Sequence, residues 1–295
     1  MPVSAAAPPA AAAVTVVFVT YDSGAVIGRA VASVPAECAV VIVDNASPAG
    51  TPWRSTLARP AQIVEMGRNA GFGAACNAGA RQAATPFVMF LNPDAQLAPD
   101  AVMRLLAAAD RYGPNAIVMP AIVGETGRLM RKEGTILEPV PRHARLKEEE
   151  IAGDYCTRFI HGAAFMMRRE AFFEVGGFDE SIFLYHEDDD LSLRAIARRK
   201  PIVVVPEAKV VHAGGGSSRP SLKRTFRINR AKKHSELYVL EKYGRRPAPA
   251  LDFAWLAGGC LLAIACLDPH RLMVRAGKLA GLLDGPAVDH APRSP

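Results

Sequence analysis

Apolar runs recur along the first half of the chain at intervals only a layered fold can satisfy. Val14 to Thr20 reads VTVVFVT, Ala39 to Val43 reads AVVIV, and Phe87 to Leu91 reads FVMFL, with a shorter run from Gln62 to Met66. The longer three are apolar without a polar alternate, the pattern of strands buried on both faces. Between them lie helix-compatible stretches at Gly24 to Ser33, Gly71 to Ala83 and Pro99 to Arg111, the last amphipathic with Pro99 suited to its first turn. Alternating strands and helices predict a doubly wound α/β sheet. Ligands of such sheets bind beyond the carboxyl ends of strands. Three strands here end in polar groups: Thr20-Tyr21-Asp22, Asp44-Asn45 and Asn92-Pro93-Asp94.

The second half is less regular. Residues 124–157 are charged and read as a flexible excursion. Phe159 to Met167 predicts a strand, and Arg168 to Val175 a short helix stopped by Gly176-Gly177. Asp188 to Arg199 predicts a helix, Ile202 to Val205 and Lys209 to His212 strands around Pro206, and Pro220 to Tyr243 a basic helix. No repeat is visible. Phe253 to Leu267 carries no charge but is shorter than the ~18–20 residues that span a bilayer. After it, Arg271, Arg275 and Lys278 share one helical face, with Leu272, Met273, Val274, Leu279 and Leu282 supplying apolar surface. That combination suits contact in the plane of a membrane; packing on the core or on a second subunit, as a homodimer, is the alternative.

The chain of 295 residues is 50% hydrophobic and 22% charged, as a globular protein is, with a net charge of +6. The basic excess points to nucleic acid, phosphate-bearing ligands or a membrane surface. Its clearest location is Arg219, Lys223, Arg224, Arg227, Arg230, Lys232 and Lys233. No nucleic-acid recognition motif accompanies it. The five cysteines are odd in number and widely spaced, which predicts reduced thiols in a cytosolic chain rather than disulfides or zinc. The Ala/Pro-rich start, residues 1–13, lacks a basic segment and reads as a disordered tail, not a signal peptide; residues 286–295 form a second tail.

Several residues are candidates for chemistry. Asp44 suits a pyrimidine base N–H, or an Asx turn. MGRNAGFGAACNAG, residues 66–79, suits close approach of backbone to a ligand, or close helix packing, and matches neither a dinucleotide fingerprint nor a P-loop. Asp94 closes FLNPDA, either as a ligand for a hard cation or as part of a polar turn. His212 precedes AGGGSS, as a metal ligand, a phosphate donor or a structural histidine. The run Glu187-Asp188-Asp189-Asp190 opens a predicted helix, where acids suit the macrodipole and Asp190 can pair with Arg194. Crowding also raises carboxylate pKa values, which suits a general base.

In order, VTYDSG, VIVDNAS, GRNAGFGAACNAG, FLNPDA, HGAAFMMRREAFFEVGGFDESIFLYHEDDDLSLR and VVHAGGGSS resemble the family 2 glycosyltransferases, in their rhamnosyltransferase-like branch. The resemblance covers residues 14 to about 218. It implies a GT-A catalytic domain over 14–218, a mixed sheet flanked by helices, with basic and apolar helices over 219–285. It implies a nucleotide-diphosphate sugar donor and inversion at the anomeric carbon. By the resemblance Thr20 and Tyr21 line the nucleotide pocket and Asp44 reads the base. Arg68, Asn69 and Asn77 lie near the nucleotide, with Asn45 and Asn92 also on the donor side. Asp94 holds Mg²⁺ or Mn²⁺ and His212 completes its shell. Asp188 is the general base, with Glu187 before it and Asp190 closing the element; Asp189 and Asp190 are otherwise explained as the charged start of a helix. His161 and Gly162 belong to the acceptor side. Asn92 stands where the family has its first carboxylate, which lowers the charge on the metal, and TYD replaces TYN. The function implied is transfer of a sugar, rhamnose from dTDP-rhamnose by preference, to a glycan or polyprenyl-linked acceptor in bacterial surface-glycan synthesis, at the cytoplasmic face of the plasma membrane. A UDP-hexose or UDP-galactofuranose transferase and a non-catalytic sugar-nucleotide-binding subunit are the alternatives.

Overall fold

The structure, a computed structural model, describes residues 10–141, 144–145, 147–214, 221–245 and 248–285. Both expected tails fall largely outside these residues, as do Arg219 and the end of the AGGGSS segment.

Strands β1 (Val14–Thr20), β2 (Ala39–Asp44), β3 (Gln62–Glu65) and β4 (Phe87–Leu91) form where the apolar runs place them. They are parallel, in the order β3-β2-β1-β4. Every residue of β1 is buried, because both faces of the sheet are covered. Val14, Val16 and Phe18 point to one core, packed with α1 (Ile27–Ala32) and α3 (Ala101–Tyr112). Val17 and Val19 point to the other, packed with α2 (Phe72–Gln82), α4 (Arg169–Val175) and α5 (Glu187–Ala197). Pro99 lies just outside α3, whose N-cap is Asp100.

Beyond β4 the sheet turns mixed. It continues through β8 (Ala164–Arg168), antiparallel to β4, then β6 (Ile117–Val123), β9 (Ile202–His212) and β5 (Ala95–Leu97), with the short β7 (Tyr155–Cys156) also on β9. The doubly wound expectation thus holds for the first four strands, and β5 and β6 were not foreseen. The two expected strands around Pro206 are one. Pro120 and Pro206 lie at a shift of register, where Pro120 faces Val205 but Ala121 already faces Lys209. The slip absorbs two residues that cannot donate to a ladder. The predicted strand from Phe159 begins only at Ala164, since Ile160 N–H donates to Ser192 Oγ on α5 at 2.8 Å instead. Residues 124–157 are not a free excursion: Lys132, Thr135 and Tyr155 fold back over the carboxyl edge of the sheet.

The C-terminal helices are α6 (Leu222–Lys242), α7 (Pro249–Ala265) and α8 (Pro269–Asp284). Helix α8 lies so close to α6 that a Cβ on Gly277 or Gly281 would collide with the Phe226 or Arg230 carbonyl. Helix α6 is bonded to the segment leading into α5: Ser235 Oγ donates to Leu184 O at 2.9 Å and Tyr238 Oη to Asp179 at 3.0 Å.

Gly71 ties the first half to the approach to α5. Its φ is +94°, Phe72 N–H donates to Phe183 O at 3.1 Å, and a Cβ at Gly71 would strike that carbonyl. Gly71→Ala is expected to cost about 2 kcal/mol or more in urea unfolding, from the left-handed backbone and the collision together. Gly28→Ala, in α1 with open space around it, is the control: it should leave stability unchanged or raise it by up to ~1 kcal/mol.

Candidate active site

The carboxyl ends of β1 and β2 are fastened to each other before any ligand is considered. Thr20 Oγ1 and Ser47 Oγ donate to Asp44 Oδ1 at 3.2 and 2.5 Å, and Ser47 N–H donates to Oδ2 at 3.1 Å. Asp44 therefore forms the turn expected of its type, and that turn fixes the carboxylate. Ser47, not anticipated, stands three residues after Asp44, the spacing at which a serine can close such a turn. Asn45 donates to Asn69 Oδ1 at 2.9 Å and to Gly71 O at 3.1 Å, and accepts from Ala70 N–H at 2.9 Å. These bonds hold the β3–α2 loop against the strand end. Tyr21 and Arg68 are exposed beside it. Asn77 is the outlier: it donates to Phe178 O and Glu180 and accepts from Phe178 N–H, clamping α2 to the turn after α4. None of these bonds reaches the strand ends. The small residues of α2 serve packing: a Cβ on Gly79 would collide with Val17 of β1.

A second group gathers where β4 ends. Pairing of β5 with β9 sets Ala95 opposite His212, so the preceding Asp94 meets a side chain over a hundred residues away. His212 Nε2 lies 3.1 Å from Asp94 Oδ1 and 3.4 Å from Asn92 Nδ2, while its Nδ1 is buried without a partner among the described residues. Asn92 N–H donates to Ala163 O at 2.9 Å, which attaches the His161–Ala163 turn to the same strand end. His161 Nδ1 accepts from Ala163 N–H at 3.2 Å, so its ring proton sits on Nε2. Burial first, then the nearby His212 and Lys132, push its pKa down to about 4, and the ring is neutral at physiological pH.

The four acids at the start of α5 divide in an unexpected way. Asp189 and Asp190 are nearly inaccessible, at 1% and 0% exposure, and are not a solvated helix start. Asp189 accepts from Lys132 Nζ at 3.0 and 3.1 Å and from Ile136 N–H at 2.8 Å, and its other oxygen lies 2.9 Å from His186 Nδ1. Burial alone would raise its pKa; the His186 contact and Lys132 outweigh it and hold the carboxyl below its usual range. Asp190 pairs with Arg194 at 2.8 Å, as the four-residue spacing predicted, and also with Lys242 at 2.6 Å and Tyr243 Oη at 3.0 Å. Lys132, Lys242 and Tyr243 carry no local sequence signal.

Asp188 is different. Among the described residues it makes no ion pair; its Oδ1 accepts only from Asp189 N–H, at 2.9 Å. A Cβ at Gly162 would lie 3.7 Å from Asp188 Oδ2, so the carboxylate borders the His161–Ala163 turn. Burial raises its pKa, Lys132 opposes that, and Asp189 adds to it. Glu187 is buried, with Oε2 sealed from water and without a hydrogen-bond partner among the described residues. Burial, then the Asp188 charge, push it up to about 8. Both carboxyls of the pair are thus held above their ordinary range, chiefly by burial. The site thus comprises a carboxylate fixed at the end of β2, a carboxylate–imidazole pair after β4 and, beside the His161–Ala163 turn that Asn92 holds to β4, a carboxylate with no ion pair among the described residues.

Residues 15–176 match the sequence profile described as Glycosyl transferase family 2. The chain is 30% identical over 231 residues to the N-acetylglucosaminyl-diphospho-decaprenol L-rhamnosyltransferase of Mycobacterium tuberculosis, covering 67% of this chain and 75% of that one. Among solved structures it resembles a mannosyltransferase from Pyrobaculum calidifontis in complex with GDP-Man and Mn²⁺, with a TM-score of 0.52, 21% identity and coverage of 92% and 86%. It also resembles GalNAc-T7 with UDP, GalNAc and Mn²⁺, with a TM-score of 0.54, 19% identity, and coverage of 92% of this chain but 56% of that one. At these identities the solved structures establish the GT-A fold.

Glu187 makes stability depend on pH in a defined direction. In the folded chain it is pushed up to about 8 from the ordinary 4.5, so its contribution is complete below 4.5 and is lost as pH rises through 8. The melting temperature of Glu187→Gln minus that of the parent is therefore expected to climb between those pH values and then level off. A constant difference across the window would show that Glu187 ionises normally.

Proposed function

Because the chain belongs to glycosyl transferase family 2, we propose that it transfers rhamnose from dTDP-rhamnose to a hydroxyl of a lipid-linked acceptor, with inversion at the anomeric carbon, at the cytoplasmic face of the plasma membrane. The observation that carries the catalytic part is the isolation of Asp188: it is partly exposed beside the His161–Ala163 turn and has no ion pair among the described residues, whereas Asp189 and Asp190 are paired with cations and Glu187 is buried. The name of the mycobacterial relative, which joins L-rhamnose to an N-acetylglucosaminyl-diphospho-decaprenol, supports the choice of donor sugar and acceptor.

On this reading the nucleotide lies over the ends of β1 and β2. Asp44, oriented by Thr20 and Ser47, keeps lone pairs for a base N–H. Tyr21 and Arg68 are free to close over the ligand, and Asn45 and Asn69 hold the loop that bounds it. Asp94 and His212 fit a divalent cation. They present one carboxylate and one imidazole nitrogen 3.1 Å apart, and among the described residues no group of three or more His, Cys, Asp or Glu forms a fuller cage. Mg²⁺ or Mn²⁺ held there would need the rest of its oxygen ligands from diphosphate and water. Bound there, the metal would neutralise charge on the leaving diphosphate. Asp188 accepts the proton of the acceptor hydroxyl as that oxygen attacks C1 from the face opposite the diphosphate, and its raised pKa makes it a better base than a free aspartate. His161 Nε2–H and the Gly162 backbone border the acceptor.

Asp188→Asn should lower turnover by about 10² or more while leaving donor affinity near normal; unchanged turnover would remove Asp188 from the role of base. Asp94→Ala should instead weaken donor binding in the presence of Mn²⁺, read by calorimetry. In a thermal-shift panel of dTDP- and UDP-sugars with and without Mn²⁺, dTDP-rhamnose is expected to stabilise most. A larger shift with a UDP-sugar would reassign the donor.

A further inference from the structure

Helix α7 is a surface helix that turns an apolar face to water. Leu256 and Ala263 are its buried residues, and its one acid, Asp252, faces inward to Lys233 at 2.6 Å. Outward it presents Trp255, Leu261 and Leu262, with 62%, 70% and 60% of their surfaces exposed, and the turn into α8 ends on Leu267 at 88%. A surface helix ordinarily shows a polar face to solvent, and an apolar patch of this kind marks something it covers.

The border of the patch is cationic. The Arg275 guanidinium lies 3.8 Å from the centre of the Trp255 ring. Lys278 follows one turn along α8, where Lys232, Arg275 and Lys233 crowd it. Burial and those cations together hold its ammonium below the usual pKa. Lys233 is neutralised by Glu236 and Asp252, but Lys232 and Lys278 have no carboxylate within 4 Å among the described residues. Lys232 in turn lies 5.0 Å from the centre of the Tyr185 ring, three residues before Asp188. The apolar face is thus edged by Arg275, Lys278 and Lys232, none of which has an ion pair among the described residues, and the edge reaches Tyr185.

We infer that this face docks on a bilayer carrying anionic headgroups. Helix α7 lies in the plane of the interface, with Leu261, Leu262 and Leu267 in the acyl boundary, Trp255 at headgroup depth, and Arg275, Lys278 and Lys232 on lipid phosphates. No helix among the described residues is long and apolar enough to cross a membrane, which agrees with a helix that lies on it. A second copy is the poorer occupant, because a two-fold contact through α7 brings the same unbalanced cations toward one another. The docking rests on α7 and its border alone. Only its consequence, that a lipid-anchored acceptor would meet the cleft at membrane level, rests on the proposed reaction.

Flotation of the full chain with vesicles tests it. The chain should float with phosphatidylcholine–phosphatidylglycerol vesicles and not with phosphatidylcholine alone, and salt should release it. Leu261→Glu/Leu262→Glu should weaken binding about tenfold or more, and Lys232→Glu/Lys278→Glu should remove the preference for anionic lipid. Both pairs are remote from the donor pocket and should keep the parent's circular dichroism and donor affinity. No flotation with anionic vesicles, or equal flotation of parent and variants, overturns the inference. So does a dimer in light scattering that the leucine variant dissociates. Donor binding without flotation would sink the docking alone; flotation without sugar transfer would sink the reaction alone.

Discussion

Asp189 and Asp190 lie side by side out of water, and a buried anion must have cations and donors brought to it. The chain meets that demand from opposite directions. Lys132 comes from the segment between β6 and β7 and neutralises Asp189, which His186 Nδ1 also approaches at 2.9 Å. Lys242 and Tyr243 come from the end of α6 and, with Arg194, satisfy Asp190. Two stretches with little apolar periodicity are thereby fixed to the start of one helix. Asp188, between these paired neighbours and the buried Glu187, is left as a carboxylate with no ion pair among the described residues. Removing a partner of either buried aspartate would leave an uncompensated charge, so the position of Asp188 depends on residues that do not touch it.

The parts of the fold that were legible in the sequence are those written in apolar periodicity. Strands β1 to β4 pack on both faces, and their runs show it. Strand β6 was missed because Pro120 interrupts IVMPAIV, and a proline ordinarily demotes a strand. Here the demotion fails because β9 carries its own proline opposite, and one register slip serves both. Residues 124–157 look flexible because charge, not burial, holds them: Lys132 to Asp189, Arg131 to Glu133 and Arg158 to Glu138.

The site divides along the same line. Asp44, Asp94, Asp188 and His212 stand at element ends, where an α/β sheet exposes chemistry, and their types are informative at once. Their partners are not. Asp94 meets His212 only through the β5–β9 ladder, and β5 is too short to be read. Asn77 illustrates the converse: a polar residue in a Gly- and Ala-rich helix suggests a ligand, but its three bonds are spent on the turn at Phe178. A buried amide satisfied within the fold looks the same in sequence as one that waits for substrate.

The change of composition near residue 219 separates two textures but not two bodies. Helix α6 donates to Leu184, Asp179 and Asp190, the segment that leads into and begins α5. Helix α8 is seated on α6 with backbone against backbone at Gly277 and Gly281, which leaves no room for sliding, and α7 is fastened to α6 by Asp252 and Lys233. Contacts therefore run from α7 through α6 to Asp190 in the first turn of α5, the turn that carries Asp188. Whatever surface α7 rests on therefore bears on how the start of α5 is presented, and on the proposed reaction the apolar and cationic texture of the C-terminal helices becomes part of how an acceptor hydroxyl would reach Asp188.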